Sequence, residues 1–189
     1  MSPKSLLHFF FEIGNLRRIK HEGWRLAGVE NPESVADHSL RAAQIGYVLA
    51  VLEKYKNPEE VCAMLVFHDI GECRVGDIHK VANYYIENVH EERAVSDQLK
   101  NLPEIQEKIM KLWKCTEERT GIAGKIAKDA DLLEQALTAK EYLELGYKAA
   151  ETWITTIEKL VHTNSAKELL KGLCAANSYD WLSEAKKKI

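Results

Sequence analysis

Apolar residues recur at intervals of three and four along most of the chain, which is the period of an α-helix with one buried face. Over positions 33–55, Val35, Ala42, Ile45 and Leu49 share such a face. No stretch shows the sustained alternation of apolar and polar residues that indicates a half-buried strand. The pattern therefore predicts an all-α protein without internal repeats or long linkers.

Start and stop signals give the predicted helices their ends. Pro3 occupies the first position of the first helix, and Asn57-Pro58 opens a helix whose first turn is acidic. That helix is expected to stop near Gly71, and the segment 71–83 is predicted to be a loop. The predicted helices span 3–18, 33–55, 58 to about 71, 88–101, 103–118, 121–145, 149–161 and 165–185.

Length and composition are those of one soluble domain. The chain has 189 residues, of which 46% are hydrophobic and 29% are charged, and we expect a single domain over 1–189. The formal net charge of −3 argues against a broad basic face for nucleic acid. No apolar run approaches the roughly 18 residues that cross a bilayer. Four scattered cysteines without a C-x-x-C pair indicate a reducing compartment, so we expect a cytoplasmic protein without membrane or nucleic-acid partners.

The first chemical signal lies where the third predicted helix ends. His68 and Asp69 directly follow an apolar face that includes Met64 and Leu65, and Glu72 comes one turn after His68. A single histidine on such a face is more often a hydrogen-bonded core residue than a ligand, but an unpaired carboxylate there would be costly. This group of ionisable side chains at a helix end therefore favours a functional site over a solvated surface.

Two further segments offer ligands for a metal ion at that site. His38 lies on the buried stripe of the second predicted helix, where the alternative is a packed or capping histidine. The segment 126–134 contains Asp129, Asp131 and Glu134. The helical period places Asp129 with the apolar residues and Asp131 on the opposite side, whereas a helix buried on all sides allows either. The pattern alone leaves this choice open.

A site of imidazoles and carboxylates suits a borderline divalent ion. Mn, Fe, Co, Ni and Zn fit it better than Ca, and Mg is compatible. With four protein ligands, an octahedral ion keeps positions for water and substrate, and it polarises a phosphoryl oxygen. The sequence contains no second His-Asp pair, so we expect a single ion.

Together these residues resemble the H…HD…D signature of the HD-domain metal-dependent phosphohydrolases, and within that superfamily the chain resembles the 5′-deoxynucleotidases. The resemblance covers roughly residues 5–175, and it is specific as a set although each piece alone is weak. It implies a compact single-domain helical bundle with a metal at its centre, usually a homodimer. The matching segments, in the order and spacing of the family, are 23–24, 31–38, 66–72, 75–78 and 130–133.

The resemblance also implies which residues hold the metal. The last ligand of the family follows an alanine and precedes a short apolar pair, and Asp131 rather than Asp129 has these neighbours. The implied ligands are therefore His38, His68, Asp69 and Asp131.

Three neighbouring residues match other functional positions of the family. Glu72 matches the catalytic acidic residue, which has a general acid/base role. Asp77 matches a residue near the sugar that favours a deoxyribose. Trp24 matches an aromatic residue at the sugar and base end, although a tryptophan one turn from other apolar residues is as often part of the core.

The phosphate of a substrate requires a cationic side chain as well as one divalent ion. Bacterial members of the family place an arginine immediately before the tryptophan, and this chain departs from that pattern with Gly23. Members similar to the eukaryotic ones have glycine there and an arginine six residues before the tryptophan, which corresponds to Arg18. Arg18 is therefore the predicted phosphate ligand, with Arg17, Lys20 and Lys80 as alternatives.

The function that this resemblance implies is removal of the 5′-phosphate from 2′-deoxyribonucleoside 5′-monophosphates, so the expected partner is a small-molecule nucleotide. One alternative is a phosphohydrolase of another phosphorylated metabolite or a cyclic nucleotide, which would use the same metal ligands. Another is a non-catalytic nucleotide-sensing domain, against which the complete ligand set and Glu72 argue. The HD fold by itself does not fix the substrate.

Overall fold

α-Helices make up the regular structure of this protein. The computed structural model describes residues 1–87 and 89–189. Short 3-10 turns occupy Gly14–Arg17, Glu22–Ala27 and Lys148–Ala150. The helices are α1 (Pro3–Ile13), α2 (Val35–Leu52), α3 (Pro58–Phe67), α4 (Glu72–Val75), α5 (Lys80–Tyr85), α6 (Glu91–Leu99), α7 (Pro103–Glu117), α8 (Gly121–Glu144), α9 (Glu151–Ile157), α10 (Asn164–Leu173) and α11 (Asp180–Lys186).

The prediction of an all-α protein is confirmed. Within the described ranges, the only β-type pairing is an isolated antiparallel bridge between Lys20 and Ser34. Beside this bridge, the backbone N–H of His21 donates to the Glu33 carbonyl oxygen at 3.0 Å, which ties the segment after α1 to the start of α2. No helix of the described ranges is both long enough and apolar enough to cross a membrane.

The segment 71–83 is not the loop that its glycines predict, because α4 and the first residues of α5 lie within it. The His79 side chain caps α5 by accepting a hydrogen bond from the backbone N–H of Ala82 at 3.0 Å. Helices of one or two turns are too short to leave a periodic pattern in the sequence. The predicted helix 88–101 corresponds to α6, and its predicted first residue, Asn88, lies outside the described residues.

The prediction of one continuous helix over 165–185 is wrong, because the chain divides there into α10 and α11. The backbone N–H of Ser178 donates to the Glu144 carboxylate at 3.1 Å, and the Asn177 side chain accepts from the backbone N–H of Tyr179 at 2.8 Å. These local bonds replace helical ones, as is common where Asn and Ser interrupt a helix.

Helix α8 lies at the centre of the bundle and is buried around its whole circumference. Helices α2, α3, α7, α9 and α10 pack around it. Its buried residues include the apolar Ile126 and Leu133 and the acidic Asp129, Asp131 and Glu134. A helix that is covered on every side has no single apolar stripe, and this is why the period of the sequence could not identify the functional aspartate.

Glycine allows α2 and α3 to approach each other closely. A Cβ atom at Gly46 of α2 would lie 2.2 Å from Leu65 Cδ1 and 3.2 Å from Val61 Cγ1 on α3. Ala130 of α8 is the next neighbour at 3.5 Å, so small residues line the contact of all three helices. This packing supports a site to which each of the three helices contributes.

Candidate metal centre and active site

Three side chains from three different helices meet inside the bundle. His38 lies in the first turn of α2, His68 directly follows α3, and Asp131 lies in the middle of α8. One nitrogen of each imidazole and one carboxylate oxygen of Asp131 lie within 4.8 Å of one another, and all three residues are buried. Nitrogen and oxygen atoms grouped in this way suit a divalent cation.

Asp69 brings a second carboxylate to the same point. Its Oδ2 atom lies 3.0 Å from His68 Nε2 and 3.7 Å from His38 Nε2. Asp131 Oδ1 lies 3.3 Å from the same nitrogen of His38. The structure thus brings together all four side chains that were predicted from the sequence as metal ligands.

The surroundings of His68 show which of its ring nitrogens is available to a cation. Nδ1 lies 2.7 Å from the carbonyl oxygen of Leu65 and must donate, because a carbonyl oxygen only accepts. Nε2 then carries a lone pair, and it is buried without a hydrogen-bond partner among the described residues. A buried nitrogen of this kind beside carboxylates is typical of a metal ligand, so the residues present fit a divalent cation.

The start of α2 fixes the position of His38. The backbone N–H of Asp37 donates to Ser34 Oγ at 3.2 Å, and the backbone N–H of Ser34 donates to Asp37 Oδ2 at 3.0 Å. This reciprocal capping box fixes the residue at which α2 begins. His38 lies in the first turn that follows it. The imidazole then has one nitrogen at the Glu134 carboxylate on α8 and the other toward Asp131.

Charges around the ligands shift their pKa values. Burial raises the pKa of Asp131, but the Lys128 ammonium, 2.9 Å from Oδ2, and the hydrogen bond with His38 hold that pKa well below its usual range. Burial lowers the pKa of His38, but its hydrogen bonds with Asp131 and Glu134 reverse this and raise the pKa well above the usual value. A cation that binds His38 must displace the proton that this raised pKa favours.

Asp129 is equally buried but has a different task. Both of its carboxylate oxygens accept the backbone N–H of His162, at 3.0 and 2.9 Å, and Oδ2 also accepts that of Thr163 at 2.6 Å. Thr163 is the N-cap of α10, so Asp129 anchors the connection between α9 and α10. Of the two aspartates that the sequence left as alternatives, Asp131 is the one that faces His38.

A cavity of about 500 Å³ opens beside the four ligand side chains, within the size range of small-molecule sites. Its lining includes the lysines Lys80 and Lys128 and the carboxylates Asp69, Glu72, Asp77, Glu91, Glu117 and Asp131. Carboxylates therefore outnumber lysines in the wall. An anionic ligand can bind there favourably only together with cations that offset this negative charge.

Three carboxyl groups of the cavity wall, those of Glu72, Asp77 and Glu91, have raised pKa values. Burial, followed by the negative charges of Asp69 and Asp77, raises the pKa of Glu72 to about 10, and one of its carboxylate oxygens is buried without a partner. Burial also raises the pKa of Asp77, whose Oδ2 accepts a hydrogen bond from the backbone N–H of Glu22. With a pKa raised to about 10, the carboxyl group of Glu72 can hold a proton near neutral pH, as general acid catalysis requires.

Comparison with known proteins identifies the family. The family model described as HD domain matches residues 13–172. The chain belongs to the HD domain family. The 5′-deoxynucleotidase HDDC2 of Homo sapiens is 34% identical to it, over 77% of this chain and 72% of the relative, and the protein of the same name from Bos taurus is 34% identical over 77% and 71%. The resemblance to HD-domain phosphohydrolases, and to their 5′-deoxynucleotidases, is therefore confirmed.

A solved structure supports the same HD-domain fold. A conserved hypothetical protein from Pyrococcus furiosus superimposes with a TM-score of 0.73 and 30% sequence identity. The match covers 90% of this chain and 99% of that one. The predicted bundle of the HD-domain type is thus found along nearly the full length of a compared structure.

Two side chains that were predicted to bind substrate do not reach the cavity of this HD domain. Arg18 is exposed and lies outside the described cavity lining, since the bridge at Lys20 holds its segment along the start of α2. Trp24 is 1% exposed, and its Nε1 donates to Glu33 Oε1 at 3.2 Å. The structure therefore does not bring Arg18 and Trp24 into the described cavity lining, and Trp24 has the burial of a core residue.

Other predicted residues do line the HD-domain cavity, namely Glu72, Asp77 and Lys80. The lining residues that the sequence analysis did not single out include Lys128 and Trp153. Lys128 precedes Asp131 by one helical turn, and this spacing of opposite charges could have indicated it. Trp153 packs on Trp24 with ring centroids 5.2 Å apart, and no motif in the sequence marks it.

Proposed function

We propose that this protein removes the 5′-phosphate from 2′-deoxyribonucleoside 5′-monophosphates with the help of a divalent cation. The observation that carries the proposal is that the four predicted ligand side chains meet beside a cavity that also contains Glu72 and Asp77. The relatives named 5′-deoxynucleotidase support the same activity and substrate class. The proposed ligands are His38, His68, Asp69 and Asp131.

The cation and the lysines share the task of binding phosphate. A divalent cation held by His38, His68, Asp69 and Asp131 would polarise a phosphoryl oxygen and would lower the pKa of a water bound to it, and the donor set favours Mn, Fe, Co, Ni or Zn. Lys128 and Lys80 supply positive charge from the described cavity wall and would form charge-assisted hydrogen bonds with the phosphate oxygens. Lys128 is the lysine that we favour for this role because it lies next to Asp131, and Arg18 is the alternative that the sequence predicts.

Glu72 would transfer the proton of the reaction as a general acid/base. Hydrolysis forms a bond between the oxygen of water and phosphorus, and it breaks the bond between phosphorus and the 5′ oxygen of the nucleoside. The water loses a proton and the departing 5′ oxygen gains one. The unpartnered carboxylate oxygen of Glu72 is available for this transfer, as a general acid/base requires.

Asp77 and Trp153 would receive the nucleoside. Asp77 is fixed by the backbone N–H of Glu22, so its carboxyl group cannot move aside freely for an additional 2′-hydroxyl. The Trp153 ring lies in the cavity wall and offers a flat apolar surface to the base. Selection for deoxyribose would then come from the shape and charge of the cavity at Asp77.

Phosphate release from a panel of deoxyribo- and ribonucleoside 5′-monophosphates tests this function directly. With the manganese-loaded protein, we expect turnover of the deoxy series, and we expect Asp77→Ala to reduce the preference for deoxyribose about tenfold, the effect of one lost discriminating contact. Asn83→Ala, in the same wall, serves as the control and should keep the preference. Equal turnover of both series would refute selection for deoxyribose by Asp77. Phosphate release only from other phosphorylated compounds or cyclic nucleotides would refute the proposed substrate class. Nucleotide binding without turnover would indicate a sensing domain.

We also propose that the protein forms a homodimer through the outer face of α2. Leu40, Val48, Val51 and Leu52 are each more than half exposed there, and an apolar groove of about 530 Å³ between α2, α8 and α10 adjoins them. An apolar helix face of this kind can be buried against the same face of a second copy about a two-fold axis.

Light scattering measures this association as molar mass. We expect twice the 21.5 kDa of one chain for the unmodified protein and a single-chain mass for Val48→Glu, because two introduced carboxylates would meet in the interface. Val81→Glu is the matched control, since Val81 is 56% exposed and Val48 is 54% exposed. A single-chain mass for the unmodified protein would end the proposal.

A further inference from the structure

A chain of polar contacts runs from the protein surface to His38 through the fully buried carboxylate of Glu134. Glu141, which is 43% exposed, binds Arg41 Nη1 at 2.7 Å. Arg41 reaches inward, and its Nε lies 2.9 Å from Glu134 Oε1. The other oxygen of Glu134 contacts His38 Nδ1. None of these contacts was apparent from the sequence, because Glu134 and His38 are 96 residues apart.

The hydrogen-bond directions on the Arg41 side are fixed by chemistry. A guanidinium group can only donate, so Arg41 donates to Glu134 Oε1 and also to Thr138 Oγ1. The Thr138 hydroxyl thus accepts a hydrogen bond from Arg41. It donates its own proton to Glu134 Oε1, and the two oxygen atoms lie 3.0 Å apart. Among the described residues, the hydrogen bonds to Glu134 Oε1 come from Arg41 and Thr138, and both residues donate.

The direction on the His38 side follows. A carboxylate paired with a guanidinium has only acceptor oxygens, so His38 Nδ1 must donate to Glu134 Oε2. The lone pair that a cation needs is therefore confined to Nε2, the nitrogen that faces Asp69 and Asp131. A carboxylate that orients a metal-binding imidazole in this way also increases its basicity.

We propose that Glu134 is a positioning residue that keeps the metal-binding nitrogen of His38 directed at the cation, and that Arg41 and Thr138 hold Glu134 in the required orientation. This inference rests on the metal site of the proposed function. It assigns a task to three residues that touch neither the cation nor the substrate.

The proposal predicts an outcome for the nearly isosteric change Glu134→Gln. The amide oxygen has to face Arg41, because a guanidinium can only donate, so the amide nitrogen is turned toward His38. Nδ1 must then accept instead of donate, and the ring proton moves to Nε2, where the cation should bind. The substitution would thus place the wrong tautomer in an otherwise unchanged site.

Binding of Mn²⁺ to the metal-free protein, measured by calorimetry, tests this. We expect Glu134→Gln to weaken Mn²⁺ binding about 10- to 100-fold, the usual effect of losing such a partner. Asp129→Asn is the matched control, because Asp129 is equally buried on the same helix but holds the backbone of His162 and Thr163. It should lower the melting temperature and leave Mn²⁺ affinity unchanged.

A second substitution separates orientation from general damage. In the double variant Arg41→Met/Glu134→Gln, the amide is free to turn its oxygen to His38, because the Thr138 hydroxyl can rotate and accept. We expect this variant to bind Mn²⁺ several-fold more tightly than Glu134→Gln alone. Arg41→Met by itself should weaken binding, whereas a simple charge effect would strengthen it by removing a positive charge near the cation.

Two outcomes would overturn the inference: Mn²⁺ affinity that is unchanged in Glu134→Gln, or a double variant that binds no better than the single one. Circular dichroism checks that each variant folds. If Glu134→Gln does not fold, Arg41→Met tests the inference: weaker Mn²⁺ binding supports it, and tighter Mn²⁺ binding contradicts it. Failure of the unmodified protein to bind Mn²⁺ would instead refute the metal site on which the inference rests.

Discussion

Asp69→Ala should reduce phosphate release from a deoxyribonucleoside 5′-monophosphate by about 10³-fold or more. Asp69 Oδ2 lies between the Nε2 atoms of His68 and His38, so its loss removes a carboxylate from the centre of the proposed metal site. A bound cation contributes several kcal/mol of transition-state stabilisation, and each 1.36 kcal/mol corresponds to a factor of ten in rate. The measurement is the initial rate with the manganese-loaded protein, together with its metal content.

Glu117→Ala is the control for this substitution, because Glu117 is another carboxylate of the cavity wall but is not one of the four proposed ligands. We expect Glu117→Ala to retain its metal. Retained turnover in Asp69→Ala would contradict the proposed ligand set. Asp69 is 19% exposed, so its truncation leaves the core packing intact and the comparison reports on the site.

Glu72→Gln should lower kcat by about 10²- to 10⁴-fold, the usual contribution of a positioned acid or base. The amide has nearly the same shape as the carboxyl group but cannot transfer the proton. Glu72 lies in the cavity wall and is not one of the proposed ligands, so Mn²⁺ affinity and nucleotide binding should persist. Rapid-quench kinetics and equilibrium binding on the same preparation distinguish this pattern from that of Asp69→Ala.

Glu91→Gln provides the corresponding control. Burial, followed by the charge of Asp69, raises the pKa of Glu91 to about 7, and the residue lines the same cavity. It therefore resembles Glu72 in burial and charge without matching the catalytic position of the family. A loss of kcat in Glu91→Gln as large as that in Glu72→Gln would show that the negative charge of the cavity matters and that a specific proton donor does not.

Most helices, and the grouping of the four proposed ligand residues, were predictable because each leaves a local signal. Capping residues and the apolar period located most helices, and the spacing of His38, His68 and Asp69 matched a known family. The division between α10 and α11 left no such signal, because it depends on Glu144, a residue of α8 that is distant in sequence from Ser178. Local patterns cannot report a bond to another helix.

The contacts that complete the site were harder to predict from the sequence, because they also join residues of different helices. The positioning role that we propose for Glu134 depends on where α2 places His38 and Arg41 relative to α8. The family pattern predicts Arg18 as the phosphate ligand, whereas the packing places Lys128 in the cavity wall and leaves Arg18 exposed. In both cases the decisive information is the packing of helices and not the order of residues.

The proposed ligands come from three distant parts of the chain: His68 lies 30 positions after His38, and Asp131 lies 63 positions after His68. A newly synthesised, unfolded chain cannot present them together, so chelation has to wait until α2, α3 and α8 have packed. A cation that binds only the packed form also stabilises it, in proportion to the logarithm of its free concentration. Which ion the protein acquires is therefore decided by the free metal of the compartment in which folding is completed, since ligand chemistry alone discriminates weakly among neighbouring transition metals.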